Sequence, residues 1–192
     1  MSGHGFHVHG PHDHEVEHAA QHGGKDSFAG TVAVMTAILA TVGALFSYMG
    51  GATQANAGLF KNNAAIKKTE ASDQWNFYQA KSNKQNLAEL AAVLVVEERK
   101  ANYLQEAERY KKEKAEIKDK AEKLEAESKD WDHRSDEQMH LHHRWAQATT
   151  ALQIAIAMAA IALLTRKRWV EWGMFGFAGV GVLLGGAAML HL

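Results

Sequence analysis

From Leu59 to Trp172 the chain holds no glycine and no proline, although most of that stretch is dense with charge. Over such a length without a helix breaker, the backbone has little alternative to helix, with at most a bend or turn built from ordinary residues. On either side lie apolar segments long enough to cross a bilayer. The pattern predicts an all-α integral membrane protein with three transmembrane helices and a long charged helical or coiled-coil region between the first and the second.

Average composition hides this arrangement. The formal net charge of −1 blends a histidine-rich head, a charged helical middle and three strongly apolar spans. No basic face stands clear of its acids, so nucleic acid is not an expected partner. Cysteine is absent, which removes disulfides, thiolate zinc sites and cysteine nucleophiles. The segments divide as a disordered His-rich head (1–26), a first span (27–50), an extramembrane long-helix region (51–144), a second span (145–165), a basic turn (166–171) and a third span (172–192).

Trp145 opens the second span, and Trp169 and Trp172 open the third, where amphipathic rings favour the membrane surface. Ala55-Asn56-Ala57 supplies a small-x-small site after the first span, but the head lacks a basic n-region and the apolar run exceeds a signal-peptide core, so a retained anchor is expected. The cluster Arg166-Lys167-Arg168 is of the kind that stays cytoplasmic. Counting crossings from it puts the N-terminus in the cytoplasm and residues 51–144 in the periplasm. Lys25 before the first span, against Lys61, Lys67 and Lys68 after it, pulls the other way.

Small residues recur along the spans. Ala29, Ala33, Ala37 and Thr41 repeat every fourth residue in the first, and Ala151, Ala155 and Ala159 in the second. Gly181 and Gly185 form a GxxxG in the third, with Gly173, Gly176 and Gly179 nearby. Such stripes let helices approach closely in lipid, within or between protomers. No Asp, Glu, Lys or Arg lies inside a span, which disfavours an ion-coupled transporter and leaves a passive oligomeric pore open.

In the middle region an apolar residue returns every seventh position: Val96, Tyr103, Tyr110, Ile117, Leu124, Trp131. The offset positions Lys100, Ala107, Lys114, Ala121 and Ser128 are small or cationic, which suits a helix leaning closely on one neighbour. The acid-before-base pairs Glu108/Lys112, Glu116/Lys120, Asp119/Lys123 and Glu125/Lys129 read as a solvated face. The chain must reverse somewhere, and Ser82-Asn83 and Ser128 to Asp136 are the expected breaks, because their side chains compete for backbone hydrogen bonds. The apolar block from Leu87 to Val96 is too short to span and is expected to be buried against another helix or another subunit.

Thr69 to Leu87 reads TEASDQWNFYQAKSNKQNL. This signature resembles an uncharacterised bacterial membrane family, domain of unknown function 4337, and the likeness extends over most of the chain. Asn83 departs from the apolar residue expected at its place. The resemblance implies an all-helical fold and a bacterial inner-membrane location, with no established activity to transfer. In the signature, Ser72 can cap a helix start with Asp73 beside it, while Trp75, Phe77 and Tyr78 offer an aromatic helix contact.

Candidate chemistry is confined to histidines. His4, His7, His9, His12, His14, His18 and His22, mixed with acids, can bind Zn, Ni or Cu loosely without a preformed fold. His133, His140 and His143 share a helix face and form a second candidate metal cluster, beside His142. No fixed cofactor is expected. Enzyme motifs are missing, so a non-enzyme is expected. The predicted role is a structural, scaffold or accessory protein that contacts lipid and forms a homo-oligomer, its protein partner unknown. Packing is assigned to Trp75, Tyr78, Tyr103, Tyr110, Ile117, Leu124, Trp131, Gly181 and Gly185. The alternative is a metal-responsive or passively conducting assembly that uses the histidine clusters.

Overall fold

The computed structural model of the chain describes residues 27–190. Among these, three α-helices account for nearly every residue and no strand occurs: α1 (Ser27–Leu94), α2 (Glu97–Thr165) and α3 (Arg168–Met189). All three are long and apolar enough to cross a membrane. The His-rich head, with His4, His7, His9, His12 and His14, lies outside the described residues.

The chain divides into two units. The first contains residues 27–53 and 140–190. Its core joins Val32 and Leu39 of α1, Leu152, Ala155 and Ala159 of α2, and Met174 and Ala178 of α3. Buried α3 residues recur at Val170, Met174, Ala178, Gly181, Gly185 and Ala188, the three-and-four spacing of one helix face. Polar side chains here are spent locally: Thr36, Thr149, Thr150 and Thr165 each donate to the carbonyl four residues back, at 2.7–2.9 Å. A hydroxyl satisfied by its own helix can face hydrocarbon at little cost.

The connection between α2 and α3 turns at Arg166, a non-glycine residue with φ of 51°. Its N–H bonds the Ala162 carbonyl at 2.8 Å, so this left-handed residue closes α2 where glycine would usually stand.

The second unit, residues 54–139, is an antiparallel pair formed by α1 and α2. The chain reverses at Val95-Val96: Val95 N–H bonds Ala91 O and Arg99 N–H bonds Val96 O, both at 3.0 Å. Glu97 and Glu98 then open α2 at the positive end of its dipole. This corrects both expected turn positions. Ser82-Asn83 and residues 128–136 are helical, because their hydroxyls are used across the helix pair and so do not compete with their own backbone. Ser128 Oγ donates to Ala64 O at 2.8 Å, Ser135 Oγ donates to Ala57 O at 2.9 Å, and Lys114 Nζ reaches Ser82 Oγ at 3.2 Å. Ser72 is likewise mid-helix and caps nothing. Val96 belongs to the turn, so the seven-residue edge on α2 begins at Tyr103.

Candidate functional site

The helix contacts themselves are the built features of both units. In the second unit the two serine bonds share one register: the numbers of facing residues add to the same value, and Lys114 Nζ lies 5.1 Å above the Tyr78 ring in that register too. The α1 side is Ala57, Ala64 and Ala71, all at most 5% exposed, and the α2 side is Ala107, Ala121, Ser128 and Ser135. Small side chains on both surfaces bring the backbones close enough for a serine hydroxyl to reach a carbonyl of the opposite helix. Each such bond contributes on the order of 1 kcal/mol net, and removing the hydroxyl leaves a buried carbonyl lone pair unused.

Around this seam the assigned packing residues sit where α1 meets α2. Leu124 is buried, and Tyr103, Tyr110, Ile117 and Trp131 are half-buried on the edge beside it. Trp131 packs on Phe60 with ring centroids 5.5 Å apart. From the signature, Trp75 meets Tyr78 edge-on at 5.6 Å and donates its indole N–H to Glu125 at 2.9 Å. Phe77, by contrast, points away and is 58% exposed. Of the expected acid-base pairs, Asp119–Lys123 closes at 2.6 Å, whereas Glu108 pairs with Lys111 and Glu125 with Trp75. The apolar block is not buried within the chain: Leu87, Leu90, Val93 and Leu94 are 65%, 55%, 79% and 75% exposed.

Lys81 and Glu113 form an ion pair across the two helices, with Arg109 also near the carboxylate at 3.6 Å. The hydrogen bond from Lys81 holds the Glu113 carboxyl below the ordinary carboxylate range, helped by attraction to Lys81, Arg109 and Lys84 and opposed by partial desolvation. A depressed folded-state value contributes stability that is present above the unfolded value and lost as pH falls through the folded one. The helix pair should therefore melt at progressively lower temperature as pH drops through and below the carboxylate range. Glu113→Gln should melt earlier at neutral pH and lose less on acidification. Circular-dichroism melts at several pH values check this; identical acid losses in both proteins would contradict it.

In the first unit the tight contacts are glycine-mediated. A Cβ on Gly181 would lie 2.8 Å from Leu152 Cδ2 and 3.2 Å from Ala148 O, and one on Gly185 would lie 2.2 Å from the Phe46 ring. The GxxxG of α3 therefore serves contacts inside the protomer. Gly176 and Gly179 face open space. Ala151, Ala155 and Ala159 are buried within the chain, whereas in the α1 stripe Ala37 and Thr41 are exposed and Val32, Leu39 and Gly43 take the inner face. Trp145 is also corrected. It is 3% exposed, packed against Phe46 with tilted rings 5.2 Å apart and facing Gly50, and so does not sit at a lipid surface as Trp169 and Trp172 (69% and 74% exposed) can.

Gly50 is a point sequence reading missed. Its carbonyl accepts from Thr53 Oγ1 and from His142 Nδ1, both at 2.9 Å, which fixes the proton of His142 on Nδ1. The only advance signal was a glycine and a histidine each lying next to a span. Of the candidate metal-binding histidines that fall among the described residues, His133 pairs with Glu137 at 3.3 Å in the second unit. His140 and His143 are exposed in the first. Among the described residues no three His, Asp or Glu side chains gather into a set that could hold a metal ion.

Over the described residues, fold and contacts define three helices, each long and apolar enough to cross a membrane, two of which also form a close, alanine- and serine-lined antiparallel pair. The chain belongs to the family described as Domain of unknown function (DUF4337), whose model matches residues 28–191. No curated protein and no solved structure matches it.

Proposed function

We propose that the protein is a non-catalytic scaffold or accessory subunit of the bacterial inner membrane that acts as a homo-oligomer through its spans and its helix pair. One observation carries the proposal. Only 11%, 33% and 28% of the apolar windows of α1, α2 and α3 are buried within the chain, so most of that surface needs lipid or another copy of the protein. The helix pair supports the same reading. Its alanine- and serine-lined contact repeats every seventh residue, its outer faces carry ion pairs, and open grooves lie beside Tyr103 and Trp75. The basic turn Arg166-Lys167-Arg168 favours a cytoplasmic N-terminus and a periplasmic helix pair. The test is the mass of the particle held in nanodiscs. A multiple of the chain mass is expected; a single chain would overturn the oligomer.

A further inference from the structure

The back of the helix pair is chemically lopsided. Taking Ala57, Ala64 and Ala71 as one seam edge, the three positions of each heptad that point directly away from α2 number eighteen between Ala55 and Leu94. All eighteen are exposed, and one alone, Asp73, is charged. Leu59, Ile66, Leu87, Leu90, Val93 and Leu94 are among them, each at least 47% exposed. The equivalent face of α2, from Ala101 to Glu137, has seventeen positions, of which eleven are charged. A back face meant only for water would look like that of α2. The α1 face looks instead like a second seam waiting for a helix.

We infer that this face of α1 is where a second copy of the chain packs, α1 against α1, leaving the charged face of α2 outward. This rests on the homo-oligomer proposed above and names its contact. Three features select a second copy over a foreign helix or a lipid surface. The face carries no Lys or Arg, the cations with which a helix lying on a bilayer meets lipid headgroups, so a helix fits it better than a bilayer plane. The one column of the face holding Asn62, Asn76 and Asn83 is self-complementary, because a side-chain amide both donates and accepts and can pair with its own copy across a rotation axis. Eighteen positions also approach the ~20–30 residues a side that a stable interface uses. Two copies anchored in one membrane in the same orientation would run parallel, bringing each residue near its own counterpart. Asn83, the departure from an apolar residue, then acts as the polar element that fixes register and subunit number.

The chain has no cysteine of its own, so single cysteines report contact cleanly. Asn83→Cys and Leu90→Cys, oxidised in native membranes, should shift from the chain mass to twice that mass, while Lys123→Cys on the outer face of α2 should not. If both α1 variants stay at chain mass although the nanodisc particle is oligomeric, the contact lies elsewhere and this inference falls while the oligomer stands. Equal cross-linking from Lys123→Cys also overturns it. A nanodisc particle of one chain would end the oligomer reading and the inference with it.

Discussion

Gly181→Leu should loosen the three-helix unit, lowering its melting temperature in detergent or nanodiscs far more than Gly179→Leu does. A side chain at 181 starts 2.8 Å from Leu152 and 3.2 Å from the Ala148 carbonyl, and Leu152 and Ala148 are both fully buried. Leu152 is enclosed by the core it belongs to, and a backbone oxygen cannot step aside without moving α2. Overpacking of this kind costs about 1–3 kcal/mol and occasionally more. Gly179, two residues away, faces open space, so the same substitution there should stay within about 0.5 kcal/mol. Equal destabilisation by the two variants would mean that α3 does not pack on α2 through Gly181.

The second large effect is expected in the helix pair. Ala121 is completely buried, and the register of the serine bonds sets it across from Ala71, which is 2% exposed. Ala121→Leu adds three carbons where two alanines meet, and the helices must part. Separation would also stretch the bond from Ser128 to Ala64, one heptad away, so the loss should exceed simple overpacking of about 1–3 kcal/mol. Ala115→Leu, on the exposed face of the same helix, provides the comparison and should melt close to the unsubstituted protein. A melting temperature unchanged by Ala121→Leu would contradict the close approach of α1 and α2.

Much of this architecture is legible in the sequence. The absence of Gly and Pro between Leu59 and Trp172 forced helix, and apolar runs of span length marked all three membrane-capable helices. The edge Tyr103, Tyr110, Ile117, Leu124, Trp131 pointed to a close neighbour, which proved to be α1. The turn was not legible, because Ser82, Ser128 and Ser135 look like helix breakers until their hydroxyls are seen reaching the other helix. Nothing local distinguishes Val95-Val96 as the reversal. Trp145 misled for a related reason: a tryptophan at a span start suits the membrane surface equally well, and only Phe46 and Gly50 opposite it decide for burial.

The back face of α1 was equally hidden. Leu87, Leu90 and Leu94 read as a short apolar block with no stated direction. Only once the inner seam is placed on Ala57, Ala64 and Ala71 do they fall on the outward side, in line with Leu59 and Ile66. The GxxxG of α3 shows the converse. It left open whether Gly181 and Gly185 served one protomer or two, and Leu152 and Phe46 fill both places from within.

Membrane solvation of the three helices is most directly tested by fractionating cells that express the full chain. The protein should sediment with membranes through alkaline carbonate and high-salt washes and be released by detergent alone. Recovery of a monodisperse protein in buffer without any amphiphile would contradict it.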